Sequence, residues 1–113
     1  MSWKGKDAEG RACRLLKAEG FRIVARNWRC RFGEIDIIAR EGATLVFIEV
    51  KARSGEGFGG AAGAVGRAKR RRLVATARWF MQEVGAELPA RFDVMTFTGT
   101  SARLHRDAFR VDD

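Results

Sequence analysis

Two carboxylates and an ammonium lie inside a pair of apolar runs, "GEIDIIAREGATLVFIEVKAR" (33–53). Asp36 interrupts the first run, and Glu49 and Lys51 close the second. Burying a charge is costly unless it is paired, so these three need a reason to be there. Between the runs, Glu41-Gly42-Ala43-Thr44 puts glycine at the first central position of a two-residue turn. That suits a type II′ hairpin, and the turn sets the register. Arg40 then faces Leu45, Ile38 faces Phe47, Asp36 faces Glu49 and Glu34 faces Lys51. Alternation along the strands puts the last four on one side of the sheet. Directly opposed residues have Cβ atoms about 4.5–5.5 Å apart.

Two like charges at that separation repel, and more so when partly buried. A divalent cation offsets them directly. Mg²⁺ binds through one or two carboxylates, with water and phosphate oxygens completing its shell. A cross-strand ion-pair network also answers the problem, with Lys51 bridging Glu34 and Glu49 and Asp36 near solvent. The residue types alone leave both arrangements open.

The elements around these residues follow from periodicity. Ala8, Ala12, Leu15 and Leu16 recur at helical spacing, and Gly20 is a plausible stop, which predicts a helix over 7–19. Glu9 lies at the margin of its apolar stripe, beside Leu16, while Asp7 points away. Alternation predicts strands at 21–29, 34–40 and 44–51. The last is nearly all apolar, as a central strand covered on both faces would be. A Gly-rich loop at 54–66 leads into a helix from about Val65 to Val84, with Leu73, Ala77, Phe80, Met81 and Val84 on one face. A strand at 91–97 and a weak strand with a short turn, "ARLHRDAF", finish the chain. Asp93 reads as a local cap or pair. The order predicts an α+β domain spanning residues 1–113, with helices packed on a mixed sheet.

Composition narrows the partners. Lys and Arg exceed Asp and Glu by +8. Such a basic excess points to an anionic partner, most often nucleic acid. The second helix opens with Arg67-Ala68-Lys69-Arg70-Arg71-Arg72, and Arg67, Arg71 and Arg78 share its outer face. Lys69 flanks the apolar side, from which it can lean toward the sheet and a bound phosphate. This cluster predicts salt-dependent phosphate binding without reading of sequence. The opening "MSWKGKDAEG" has no apolar core for a signal peptide, and no apolar run approaches a bilayer span. A cytoplasmic location is expected, with no membrane partner; a homodimer remains open. Cys13, Cys30 and the lone His105 make neither a disulfide framework nor a zinc site. "GEGFGG" (55–60) matches a dinucleotide-binding fingerprint literally, but the acidic residue such a site needs about 20 positions on is missing.

Asp36, twelve intervening residues and Glu49-Val50-Lys51 resemble the D…(D/E)xK signature of restriction-endonuclease-like nucleases. A fuller ordered set, "GKDAEGRA", "GFRIVARNWR", "GEIDIIA", "LVFIEVKAR", "AVGRAKRRRL", "RFDVM" and "DAF", resembles the YraN family, which is similar to Holliday junction resolvases. The resemblance implies a restriction-endonuclease-like mixed sheet of four to five strands flanked by two main helices. It implies a metal-dependent cut of a phosphodiester, in DNA rather than RNA, with branched or junction DNA as one substrate. Asp36, Glu49 and the carbonyl of Val50 would hold Mg²⁺ or Mn²⁺. Lys51 would orient or deprotonate the attacking water or stabilise the phosphate. Glu34 would support the ligands from behind. Glu9 matches the family's helix glutamate and Lys69 its lysine after the loop. Arg53, Arg67, Lys69, Arg70, Arg71, Arg72 and Arg78 would hold nucleic acid. The chain has no tyrosine, and neither the Gln nor the Tyr that resolvases commonly carry on the helix after the nuclease strand appears near Lys69. The rival function is a nucleic-acid-binding module that keeps the fold without the activity.

Overall fold

The computed structural model describes residues 8–53 and 65–110. Helix α1 (Glu9–Ala18) precedes strands β1 (Arg22–Cys30), β2 (Gly33–Glu41) and β3 (Thr44–Arg53). Helix α2 (Arg67–Val84) then leads to β4 (Ala90–Thr98) and β5 (Ser101–Phe109). The strands form one five-stranded sheet in the order β1-β2-β3-β4-β5. Among the described residues only β3 and β4 run parallel. A parallel pair needs a crossover, and α2 lies within it. The α+β class and the mixed sheet follow the expectation from sequence.

Each helix covers one face of the sheet. Ala12 and Leu16 of α1 pack with Ile37, Ala39, Val46, Ile48 and Val50. Leu73, Ala77 and Phe80 of α2 pack with Ile38, Leu45, Phe47, Phe92, Val94 and Phe109. Strand β3 therefore contributes to both cores, which explains its nearly unbroken apolar run. Gly85, at φ 68°, turns the chain left-handed to end α2, and the Ala86 N–H donates to the Met81 carbonyl at 2.9 Å. Strand β5 is a full nine-residue strand where the sequence suggests only a weak one. It is an outer strand and mostly polar, so its burial pattern carries little signal.

Asp93 is wholly buried in β4 and structural. The Arg91 guanidinium donates to both of its oxygens at 2.9 Å, and the Asp107 N–H donates to Oδ1 at 2.9 Å. Asp107 has φ 52°, beside the register shift between Phe92 and Val94. The buried carboxylate thus holds an irregular point in the β4–β5 ladder and keeps its own charge paired. Arg91 also reaches Glu41 at 2.9 Å, and Arg106 reaches Glu41 at 2.6 Å, linking β2, β4 and β5.

Candidate active site

The β2–β3 turn behaves as the sequence requires. Gly42 takes φ 61°, while Ala43 is outside the left-handed region, the pattern of a II′ rather than a I′ turn. The register runs Glu41↔Thr44, Arg40↔Leu45, Ala39↔Val46, Ile38↔Phe47 and Ile37↔Ile48. Its next step would put Asp36 opposite Glu49. There the ladder stops, and a side chain takes over. The Val50 N–H donates to Asp36 Oδ2 at 2.8 Å, in a buried setting. The carboxylate fills the place of a strand carbonyl, so Asp36 lies in the seam between β2 and β3.

The backbone explains why. Ala25 and Ile38 pair on the α2 side of the sheet, as do Trp28 and Ile35. Three residues separate the two pairs on each strand, whereas regular alternation needs an even number. The phase flips at Asn27, which sits at φ 52°, and at Asp36 opposite it. Asparagine is among the residues that tolerate this left-handed conformation. The flip turns Asp36 away from the regular sheet face and toward β3.

Glu49 and Phe47 face α2. Asp36 is 6% exposed and Glu49 4%. Burial pushes the Glu49 carboxyl above its ordinary value, and the Asp36 charge adds to the push. Lys69 of α2 opposes it through an ion pair to Glu49 Oε2. Lys51 Nζ lies 3.7 Å from the same oxygen. Burial disfavours the Lys69 ammonium, but its contact with Glu49 outweighs that and raises its pKa. Two buried carboxylates thus lie beneath two partly exposed lysines.

Sequence reasoning brought Asp36, Glu49, Val50, Lys51 and Lys69 toward one place, and the structure gathers all five. It missed the direct Lys69–Glu49 pair, although the helical phase of Lys69 pointed toward the sheet. Glu34 departs from expectation. Beyond the flip it pairs with Arg29 of β1, with Nε 2.9 Å from Oε2, instead of facing Lys51. Glu9 is buried in α1, whose core faces the opposite side of the sheet from Lys69. Among the described residues no group of three His, Cys, Asp or Glu side chains is arranged to hold a metal ion. The acidic centre is a pair.

Two carboxylates still fit a hard cation that keeps much of its water. They are adjacent and buried, and Glu49 already attracts two ammonium groups, so the position favours positive charge. Around it, Arg67, Arg71, Arg72 and Arg78 are exposed. Arg70 is half-buried, its guanidinium 6.0 Å from the centroid of Phe109, and so contributes partly to packing. The Arg53 side chain and residues 54–64 of the Gly-rich loop lie outside the described residues.

A five-stranded mixed sheet flanked by two helices, with Asp36 and Glu49-x-Lys51 side by side, has the architecture of the restriction-endonuclease-like class. Residues 8–97 match the family described as "Uncharacterised protein family UPF0102". The chain belongs to that family, the YraN family to which its motifs point. It is 50% identical over 113 residues to UPF0102 protein RSc3265 of Ralstonia nicotianae, covering 96% of this chain and 87% of that one. It is 47% identical over 102 residues to a UPF0102 protein of Methylobacillus flagellatus, covering 90% and 89%. UPF0102 protein NE0719 of Nitrosomonas europaea is 45% identical over 96 residues, covering 85% and 81%.

Proposed function

We propose that this protein is a metal-dependent nuclease that hydrolyses phosphodiester bonds of DNA in the cytoplasm. The observation that carries this reading is the burial of Asp36 against Glu49, with Lys51 and Lys69 at the edge of the pair. Two carboxylates brought together in a low-dielectric seam raise the free energy of the metal-free fold. A site that concentrates negative charge in this way supports the reading that it takes a cation. Among the described residues no helix is long and apolar enough to cross a membrane.

Asp36, Glu49 and the Val50 carbonyl would hold Mg²⁺ or Mn²⁺. When bound, such an ion supplies a Lewis acid at the scissile phosphate and an acidified water. Lys51, as an ammonium at the partly exposed rim, would orient the attacking water or stabilise the phosphate. Lys69 exchanges its Glu49 contact for a phosphate oxygen as the strand arrives, because an ammonium is a compact, mobile point charge. Arg67, Arg71, Arg72 and Arg78 hold the backbone on either side, without base contacts and so without sequence preference. The Val50 N–H fixes the Asp36 carboxylate before any ligand arrives, which preorganises the site.

A second reading has its own support. The Lys69–Glu49 pair already compensates one buried carboxylate, as a nucleic-acid-binding module without turnover would require. Thermal unfolding with and without Mn²⁺ separates the two. The nuclease reading expects wild-type protein to gain stability with metal, because only the folded state assembles the site. It expects Asp36→Asn to lose that gain. An unshifted wild type favours the binding module.

A further inference from the structure

Phe32, in the β1–β2 turn, and Trp79, on α2, are both large, apolar and exposed, at 40% and 37%. They form an edge-on pair with ring centroids 5.6 Å apart and planes at 66°. Neither ring belongs to the buried core. Basic side chains frame the pair. The Arg31 guanidinium lies 5.4 Å from the Phe32 centroid. Arg72 is exposed one turn-pair before Trp79 on the same ridge of α2, and its Cβ borders Gly33, next to Phe32. Arg29, at the adjoining end of β1, is 76% exposed but ion-paired to Glu34, so Arg31 and Arg72 are the guanidinium groups that border the rings.

The pair also stands at a defined distance from the carboxylates. Lys69 and Trp79 are ten residues apart on one helix, about 15 Å at 1.5 Å per residue. Phe32, in the turn just before β2, precedes Asp36 by four residues, at most about 13 Å at strand spacing. Both routes set the rings on the α2 side, within the reach of a short stretch of single strand from the site.

We propose that Phe32 and Trp79 form a stacking platform for an unpaired base of a nucleic-acid strand that also reaches the Asp36–Glu49 site. An aromatic step bordered by guanidinium groups is the chemistry that captures single-stranded nucleic acid: the rings take the base face and the arginines take the flanking phosphates. Bases within a duplex are already stacked on one another and have no face to offer. The platform therefore favours strands with single-stranded character over continuous duplex. This deepens the nucleic-acid reading of the site and rests on it, but it does not require turnover.

The test is run in EDTA, so that no cleavage intervenes. Dissociation constants are measured by fluorescence anisotropy for a labelled 20-nucleotide oligothymidylate and a 20-base-pair duplex at one salt concentration. Phe32→Ala and Trp79→Ala should each weaken single-strand binding about tenfold and leave duplex binding within twofold, the scale expected for loss of one stacked base. Trp79→Phe should restore most of the single-strand affinity, because it keeps a ring. Arg72→Ala should weaken both ligands, as a phosphate contact does. Thermal unfolding and sedimentation of each variant report folding and assembly. Equal losses for both ligands, or no loss for either, overturn the platform, as does a change in oligomeric state on Trp79→Ala with single-strand binding intact. If the platform behaves as stated and metal yields no cleavage, the nuclease reading fails alone. If cleavage occurs and the alanine variants bind single strands like wild type, the platform fails alone.

Discussion

Lys69 of α2 and Glu49 of β3 are ion-paired across the boundary between helix and sheet, and Glu49 also feels the charge of Asp36. The helix is thereby tied to the one place where the sheet carries buried negative charge. Removing the lysine should leave that charge exposed to the low dielectric around it.

Lys69→Ala is expected to destabilise the metal-free protein by about 1–2 kcal/mol. That is below the value for a fully buried pair, because Lys69 is partly exposed and solvent screens it. Adding Glu49→Gln should recover most of the loss. Chemical denaturation of the two single variants and the double variant checks this. A Lys69→Ala protein as stable as wild type would show that the pair contributes nothing.

Asp36 should respond differently to two substitutions. Asn keeps an oxygen for the Val50 N–H and removes the repulsion with Glu49, so the metal-free Asp36→Asn protein should be no less stable than wild type. Ala leaves the buried N–H without an acceptor and should cost about 1–3 kcal/mol. Equal stability of the two variants would argue against a structural role for this hydrogen bond.

The register around these residues is legible in the sequence because one glycine determines it. Gly42 must adopt a positive φ for a two-residue turn, and every pair from Glu41↔Thr44 to Ile37↔Ile48 follows. The fate of Asp36 itself is not legible. It depends on a phase flip shared with Asn27 on a neighbouring strand, and asparagine occurs in strands and turns without announcing a left-handed conformation. The same flip sends Glu34 to Arg29, which simple alternation assigns to Lys51. Lys69 was half legible: helical phase aims it at the sheet, but its partner is set by how α2 docks. Asp93 is the converse case. Its local partner Arg91 is two residues away, whereas its second donor, Asp107, arrives from another strand.

Glu41 provides a pH test away from the site. Its hydrogen bonds to Arg106, and then to Arg91, outweigh burial and hold its carboxyl below the ordinary 4.5. The folded state thus binds its proton more weakly than the unfolded state. The resulting stabilisation is fully present above pH 4.5 and is lost as pH falls through the lower folded value. Because the group is partly exposed, the effect should be below about 1 kcal/mol. Urea melts at pH 7 and pH 3 should show a smaller acid loss in Glu41→Gln than in wild type. Identical losses would remove Glu41 from the acid response.

Nucleic-acid affinity should fall steeply with salt, because basic side chains displace counterions from phosphates. Arg71→Ala and Arg67→Ala should each weaken binding uniformly across sequences and reduce the log–log slope by about one. Anisotropy titrations from about 50 to 300 mM KCl measure this. An unchanged slope in both variants would place the binding face elsewhere.

The central claim is that Asp36 and Glu49 assemble a cation-dependent cutting site. Its most direct test is cleavage of end-labelled DNA, offered as duplex, flap, single strand and four-way junction, with Mg²⁺, with Mn²⁺ and with EDTA. The account predicts cleavage of at least one substrate with metal and none with EDTA. Asp36→Asn and Glu49→Gln should lose at least about a hundredfold in rate, the scale of removing a group that stabilises charge in the transition state. Both should keep DNA affinity at or above the wild-type level, since each removes a negative charge near the phosphates. Lys51→Ala should be slower but still responsive to metal. An inert wild type on every substrate with both metals would contradict the account, as would cleavage that survives undiminished in Asp36→Asn.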